Sequence, residues 1–454
     1  MLEKSKKSNL LEQEVYHFTL QNIEEPNLFR EVFPYTEIPK VSFNHRRVPM
    51  DMPDDIWITD TTFRDGQQSR EPYTPEQILD IFDMLHRLGG DNGLIRQTEF
   101  FIYSDKDRKA LELCQEKGYT FPEITTWIRA TQNDFKLVKD IGIQETGILM
   151  SCSDYHIFNK LGIDREKAMQ QYLSIVAQAL EMGLKPRCHL EDVTRSDIYG
   201  FVLPFVNELM KLSREANIPI KIRACDTMGY GVGYTGAALP RSVPGIIYGL
   251  KKYCDVPSEL IEWHGHNDFY KGVVNASTAW LYGCSAVNCS LLGIGERTGN
   301  VPLEAMVMEY AALRGTFDGM NAEVITEIGE YYSKVLKYKI PPQTPFIGKN
   351  FNVTRAGIHA DGLLKDEEIY NIFDTATILN RPASVTVSNV SGLAGIAYWL
   401  NDYYKLDGEN KIDKRDGLCV YIKEWIDEEY DKGRNTIISD DELVKLVDAY
   451  NAKK

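Results

Sequence analysis

The feature that most constrains the fold of this chain is a regular alternation of short apolar runs with amphipathic stretches of helix length. The apolar runs read as strands and lie at residues 56–61, 93–101, 123–129, 145–151, 186–193, 220–227, 260–267 and 286–293. Strands that alternate with helices are typical of a parallel sheet. Eight such units in about 250 residues predict an α/β fold of the (β/α)8 TIM-barrel type.

The residues on either side of this repeat predict the domain organisation. Residues 1–55 are polar and interrupted by prolines, and we interpret them as an N-terminal arm. The barrel is expected over 56–316, where its first helix begins at the N-cap Thr74 and Pro75. Residues 317–454 predict a linker and a small, mainly helical C-terminal subdomain.

Charge and cysteine content exclude several classes of function. A formal net charge of −15 argues against nucleic acid or an anionic membrane as a partner, because either would need a basic face. No secretion signal and no long apolar run is visible, so we expect a cytoplasmic protein. The eight cysteines include no CxxC pair, which disfavours a zinc knuckle and a redox dithiol.

Polar residues collect where the predicted strands end, which is where TIM-barrel enzymes build their active sites. Asp65 follows the first strand, His264 and His266 share one face of the seventh, and Asn300 ends the loop after the eighth. These four nitrogen and oxygen donors suit a divalent metal such as Mn²⁺, Mg²⁺, Co²⁺, Fe²⁺ or Zn²⁺ with open coordination positions. The alternative is that the two histidines only form hydrogen bonds inside the barrel.

Three segments at these strand ends carry a family resemblance. "DTTFRDGQQ" (60–68), "HGHND" (264–268) and "GIGERTGN" (293–300) resemble the signature segments of the DRE-TIM metallolyases. The match covers roughly residues 56–375. The resemblance implies that the four donors named above are the metal ligands, and Mn²⁺ is the ion that we expect.

A segment beyond the barrel resembles one branch of that family. "TRAGIHADGLLKDEEIYNIFD" (354–374) is similar to a segment that the acetyl-CoA-condensing synthases carry and that the lyases and aldolases lack. The resemblance implies acetyl-CoA as co-substrate and a homodimer in which the exchanged C-terminal subdomain closes the partner's active site. In the reaction that it implies, Arg64 stabilises the thioester enolate, and His359 paired with Glu191 takes the methyl proton with help from Tyr370. His359 could instead be an ordinary histidine on a helix surface.

The fifth predicted strand bears on the choice of 2-oxo acid. In "PRCHLEDV" (186–193), Arg187 and Glu191 match positions that line the substrate pocket of homocitrate synthases, which favours a dicarboxylic acid. His189 replaces a small serine there and would shorten the pocket. Oxaloacetate is therefore expected, with citrate as product, and the long arm and Asp65 also resemble the citrate-forming, Re-face branch of the family. An Arg187–Glu191 ion pair is the structural alternative.

Three further residues at the strand ends are expected to bind substrate: Gln68, Glu99 and Thr227. Glu99 is also expected to orient Arg64. Homocitrate synthesis from 2-oxoglutarate and isopropylmalate or citramalate synthesis remain alternatives that keep the mechanism. A non-catalytic metal-binding barrel is the alternative of a different class.

Overall fold

The structure is a computed structural model, and it describes residues 2–4, 11–13, 16–129 and 131–453. By the contacts between its parts the chain divides into two units, residues 1–321 and 322–454. The first unit contains the arm and the barrel. No helix in the described ranges combines the length and the apolar character that crossing a membrane requires.

Eight parallel strands close into a barrel in which the last strand pairs with the first. The strands, labelled β1 to β8, are Trp57–Asp60, Ile95–Phe100, Glu123–Ile128, Glu145–Ser151, Lys185–Glu191, Lys221–Asp226, Ile261–Gly265 and Ala286–Cys289. All eight predicted strands are present, and the predicted TIM barrel is confirmed. Because all strands are parallel, their carboxyl ends meet at one face of the barrel.

Helices connect the strands and cover the barrel. They are Pro75–Gly89, Asp105–Glu116, Gln132–Asp140, Asp154–Ile157, Arg165–Glu181, Leu203–Ala216, Val243–Cys254, Gly272–Leu281 and Leu303–Arg314. The first begins as predicted, because the Thr74 side chain accepts from the backbone of Gln77, whose own side chain accepts from the backbone of Thr74. Pro75 occupies the first helical position, where a missing N–H has no consequence.

Residues 16–55 of the arm pack on the barrel through backbone and side-chain hydrogen bonds. The backbone N–H of Gln21 donates to the carbonyl of Gly200 at 2.9 Å, and that of Ala238 donates to the carbonyl of Ser42 at 2.9 Å. Further toward the N-terminus, Leu2–Lys4 pairs antiparallel with Leu11–Gln13.

The second unit is mainly helical, as expected for the C-terminal region. Its helices are Val324–Lys334, Gly357–Lys365, Thr375–Leu379, Gly392–Tyr403, Gly417–Asp431 and Asp440–Asn451. The last three enclose an apolar core of their own, which includes Trp399, Ile422 and Leu443. Two short parallel strands, Val353–Thr354 and Ser384–Val385, accompany them.

Candidate active site

The four predicted metal ligands meet at the carboxyl-terminal face of the barrel. Asp65 lies in the turn after β1, His264 in β7 and His266 just beyond it, and a bridge between backbones joins His266 to Asn300. All four side chains are buried. One Asp65 oxygen, Oδ2, accepts a 2.7 Å hydrogen bond from Asn300 and lies 3.5 Å from Nε2 of His264 and 3.9 Å from Nε2 of His266.

This constellation fits a divalent metal ion. Donor atoms of Asp65, His264 and His266 all lie within 4.8 Å of one another. Oδ1 of Asn300 is buried without a hydrogen-bond partner among the described residues, which leaves an acceptor free for a cation. A Cβ on Gly295 would lie 2.0 Å from that same oxygen, so glycine keeps its surroundings open.

The ionisation of the ligands also suits a metal, since carboxylate and neutral imidazole are the binding forms. Burial by itself would raise the pKa of Asp65, but Arg64 and the two imidazoles outweigh it and lower the pKa to about 2. Burial lowers the pKa of His264 to about 4 and also lowers the pKa of His266. All three groups are therefore in the ligating form at neutral pH.

Asn288 on β8 orients the first histidine, and the sequence analysis missed it. Its Oδ1 lies 2.7 Å from Nδ1 of His264, and its Nδ2 donates to Oγ1 of Thr59 at 2.9 Å. The hydrogen bond to Nδ1 leaves Nε2 of His264 directed at Asp65, which is the usual way of fixing a metal-binding imidazole. The sequence feature that could have indicated this residue is a single asparagine within an otherwise apolar predicted strand.

Arg64 is held rigidly beside the ligands. Its Nε donates to Oε2 of Glu99 at 2.6 Å, and its Nη1 donates to Oδ1 of Asp65 at 2.6 Å. The guanidinium is thereby fixed in contact with Asp65, one of the four predicted ligands. Gln68, in contrast, lies exposed on the short helical turn Gly66–Ser69.

Arg187 lies deeper in the barrel than expected for a residue that faces substrate. Its guanidinium is fully buried and donates to Glu99 and, at 2.7 Å, to Oε1 of Glu145. Arg187 therefore pairs with Glu99 and Glu145, and the ion pair with Glu191, which was the structural alternative, is not formed. Because its charge is already balanced by carboxylates, the role of Arg187 as a carboxylate anchor stays a prediction.

His189 lies beside Arg187 in the same interior layer. Its Nε2 is 3.4 Å from Nε of Arg187 and 3.6 Å from Oε1 of Glu99. A Cβ on Gly147 would lie 2.6 Å from that nitrogen, so the imidazole occupies space that only glycine on β4 leaves open. Burial keeps the pKa of His189 well below its usual value, which makes the ring neutral.

Glu191 at the end of β5 has a partner that sequence reasoning did not identify. His156, in the loop after β4, places its Nδ1 2.9 Å from Oε2 of Glu191. Just after the next strand, Oγ1 of Thr227 accepts from the backbone N–H of Asp192 at 2.8 Å, so it supports the turn that follows Glu191.

The two remaining predicted catalytic residues lie in the second unit. His359 is exposed on the helix Gly357–Lys365, and the half-exposed Tyr370 follows eleven residues later. Their ring centroids lie 4.5 Å apart, so the structure brings these two side chains together.

Comparison with known proteins assigns the family. The model of the HMGL-like family matches residues 55–331, and the chain belongs to this family of DRE-TIM barrel proteins. The predicted family membership is therefore confirmed.

Curated relatives narrow the class further. The chain is 61% identical to a Citrate (Re)-synthase of Clostridium kluyveri over 432 residues, 95% of both chains. It is 54% identical to a Citrate (Re)-synthase of Syntrophus aciditrophicus over 435 residues, 96% of this chain and 69% of the relative. A 2-phosphinomethylmalate synthase of Streptomyces hygroscopicus is 38% identical over 442 residues, 95% of this chain and 98% of the relative.

Proposed function

We propose that the chain condenses acetyl-CoA with oxaloacetate to give citrate and CoA. The observation that carries this is the assembled Arg64–Asp65–Glu99 group beside His264 and His266, in a chain that is 61% and 54% identical to two citrate (Re)-synthases. The enzyme is an acyltransferase that converts the acyl group to an alkyl group on transfer.

The metal is proposed to be Mn²⁺, held by Asp65, His264, His266 and Asn300. This donor set contains no thiolate, which favours the harder ions over a closed structural zinc site. When bound, the ion polarises the carbonyl of the 2-oxo acid as a Lewis acid.

Arg64 is proposed to stabilise the negative charge on the enolate of acetyl-CoA. Its hydrogen bonds to Glu99 and Asp65 fix the guanidinium before the reaction, so no reorganisation is needed as charge develops. Gln68 and Thr227 are proposed to contact the substrate, Arg187 to bind its distal carboxylate, and His189 to shorten the pocket.

Proton removal from the methyl group is assigned to His359, with Glu191 as its carboxylate partner and Tyr370 assisting. The contact between His359 and Tyr370 supports their joint action. We propose that these two residues reach the active site of a partner subunit in a homodimer with exchanged C-terminal subdomains.

A reducing compartment, the cytoplasm, is proposed as the site of action. All eight cysteines are free and buried, as expected for a protein that needs no disulfide.

The test is release of CoA thiol from acetyl-CoA by anaerobic protein loaded with Mn²⁺. Oxaloacetate, 2-oxoglutarate, 2-oxoisovalerate and pyruvate are compared in parallel, and we expect turnover with oxaloacetate alone. A preference for 2-oxoglutarate would establish homocitrate synthesis instead. Asp65→Ala is the matched control, and its activity should be lost with every acid.

A further inference from the structure

The carboxylate of Glu191 is held on one side only. In the described ranges every donor to Glu191 meets the same oxygen, Oε2: Nδ1 of His156 at 2.9 Å, Oγ of Ser151, and Nζ of Lys160 at 3.5 Å. The other oxygen, Oε1, receives none of these bonds. A carboxylate bound in this way has one oxygen fixed and one available.

These contacts follow from the arrangement of neighbouring strands. Ser151 and Glu191 are paired in register at the ends of β4 and β5, and the backbone N–H of Cys152 donates to the carbonyl of Glu191 at 3.0 Å. The short helix Asp154–Ile157 follows directly and carries His156 back over the carboxylate. The segment after β4 therefore contacts the side chain of Glu191.

The imidazole of His156 is fixed in turn. Its Nε2 lies 3.8 Å from Oδ2 of Asp192, and Asp192 accepts from Ser153 at 2.6 Å and from Nε of Arg195 at 2.9 Å. Both ring nitrogens thus face carboxylates. For the ring to hydrogen-bond Glu191, Nδ1 must carry the proton.

This setting keeps Glu191 charged. Burial by itself would raise its pKa, but hydrogen bonds from His156 and Ser151 lower it to about 2. The titratable groups that surround this carboxylate are His156, Lys160, Asp192, Cys152, Cys225 and Tyr172. His156 lies closer to the carboxylate than Lys160 does, at 2.9 Å against 3.5 Å.

We propose that His156 is a positioning residue for the condensation. Its Nδ1–H, together with Ser151, fixes Oε2 of Glu191 so that the carboxylate presents Oε1 to the catalytic base. The inference rests on the proposed function, in which Glu191 pairs with the imidazole of His359. His156 itself takes no proton from substrate, because both of its ring nitrogens are turned to carboxylates.

Two substitutions at His156 test this in the full-length enzyme. His156→Ala removes the donor, whereas His156→Asn places an amide N–H where Nδ1 lies. We expect kcat to fall about 10- to 100-fold in His156→Ala, with KM for oxaloacetate nearly unchanged, and to recover most of its value in His156→Asn. The exposed His17→Ala serves as control, and thermal unfolding midpoints establish that all variants are folded.

A double substitution separates positioning from a merely structural effect. If His156 acts through Glu191, adding His156→Ala to Glu191→Gln causes no further loss of kcat. Losses that multiply, or a His156→Ala enzyme as active as the wild type, would overturn the proposal.

A measurement that needs no turnover distinguishes this inference from the proposed function. In ¹⁵N-histidine-labelled protein, NMR should show the Nδ1–H tautomer of His156 in the wild type and a changed ring signal in Glu191→Gln. An Nε2–H tautomer in the wild type overturns the positioning role even if citrate is formed. A wild type that shows the Nδ1–H tautomer but releases no CoA with any acid overturns the proposed function instead.

Discussion

The amide of Asn288 orients one of the candidate metal ligands, His264. The Asn288→Leu substitution removes the acceptor for Nδ1 of His264, so the imidazole loses its fixed tautomer and direction. We expect the affinity for Mn²⁺ to fall about 10- to 100-fold, as is usual when such a partner of a ligand is lost. Competition titration of the metal-free protein measures it.

Two further variants control this prediction. Asn288→Asp keeps an acceptor at the same place and should retain tight binding, and the exposed Asn133→Ala should bind as the wild type does. Unchanged affinity in Asn288→Leu would show that His264 is oriented by the fold alone.

Glu304 is a residue whose charge opposes folding at high pH. It is buried, its Oε2 accepts from the backbone N–H of Leu292 at 3.0 Å, and burial raises its pKa to about 7. Since the folded state binds this proton more tightly than the unfolded state, the stabilisation is complete below about pH 4.5 and is lost as pH rises through 7. The free energy of unfolding that is lost in this way is about 3 kcal/mol.

Thermal unfolding at pH 5.5 and pH 8 tests this expectation. Glu304→Gln cannot ionise and should lose fewer degrees of Tm between the two pH values than the wild type does, by several degrees. Glu296→Gln, at an exposed position in the loop that precedes the helix of Glu304, should behave as the wild type. Equal losses in Glu304→Gln and the wild type would contradict the assignment.

At the scale of elements, Arg297 ties three loops of the active-site face together. Its guanidinium binds both oxygens of Asp268 at 2.9 and 3.0 Å and donates to the carbonyl of Thr227 at 2.5 Å. Its own backbone is left-handed, with φ of 56°. The loops that follow β6, β7 and β8, and with them His266 and Asn300, are thereby connected.

Substitution of Arg297 should lower the metal affinity more than it lowers the stability of the fold. Arg297→Lys cannot form the paired contact, and we expect metal affinity to fall several-fold with little change in Tm because the guanidinium is partly exposed. Metal titration measures the first and thermal unfolding the second. Asp268→Asn should have the same effect, and the double variant should be no worse than either; additive losses would rule out the shared role.

At the scale of the whole molecule, the proposed exchange of subdomains makes each active site depend on two chains. Asp65→Ala and His359→Ala disable residues of different units, so a mixed dimer would contain one site with neither substitution. Co-expression of the two inactive variants should restore about a quarter of wild-type activity if chains pair at random. Thiol release from acetyl-CoA measures it, and a mixture that stays as inactive as its parents would contradict the exchange.

The fold and the clustering of the four candidate metal ligands could be predicted from the sequence because both depend on local pattern. Period-two alternation and cap residues identify eight strands and their helices, and parallel strands put their ends at one face. His264 lies in such a strand, and Asp65, His266 and Asn300 lie in the segments that follow one. The oxaloacetate preference was likewise favoured by neighbouring residues of one strand, where His189 replaces a smaller side chain.

Only the tertiary structure decided which charged groups pair inside the barrel. Arg187 meets Glu99 and Glu145, which are 88 and 42 positions away, rather than Glu191 on its own strand. His156 reaches Glu191 from the loop after the neighbouring strand. Which charged groups pair depends on their depth in the barrel and on the direction of each side chain. Both are set by the register and packing between strands, and no single stretch of sequence contains that information.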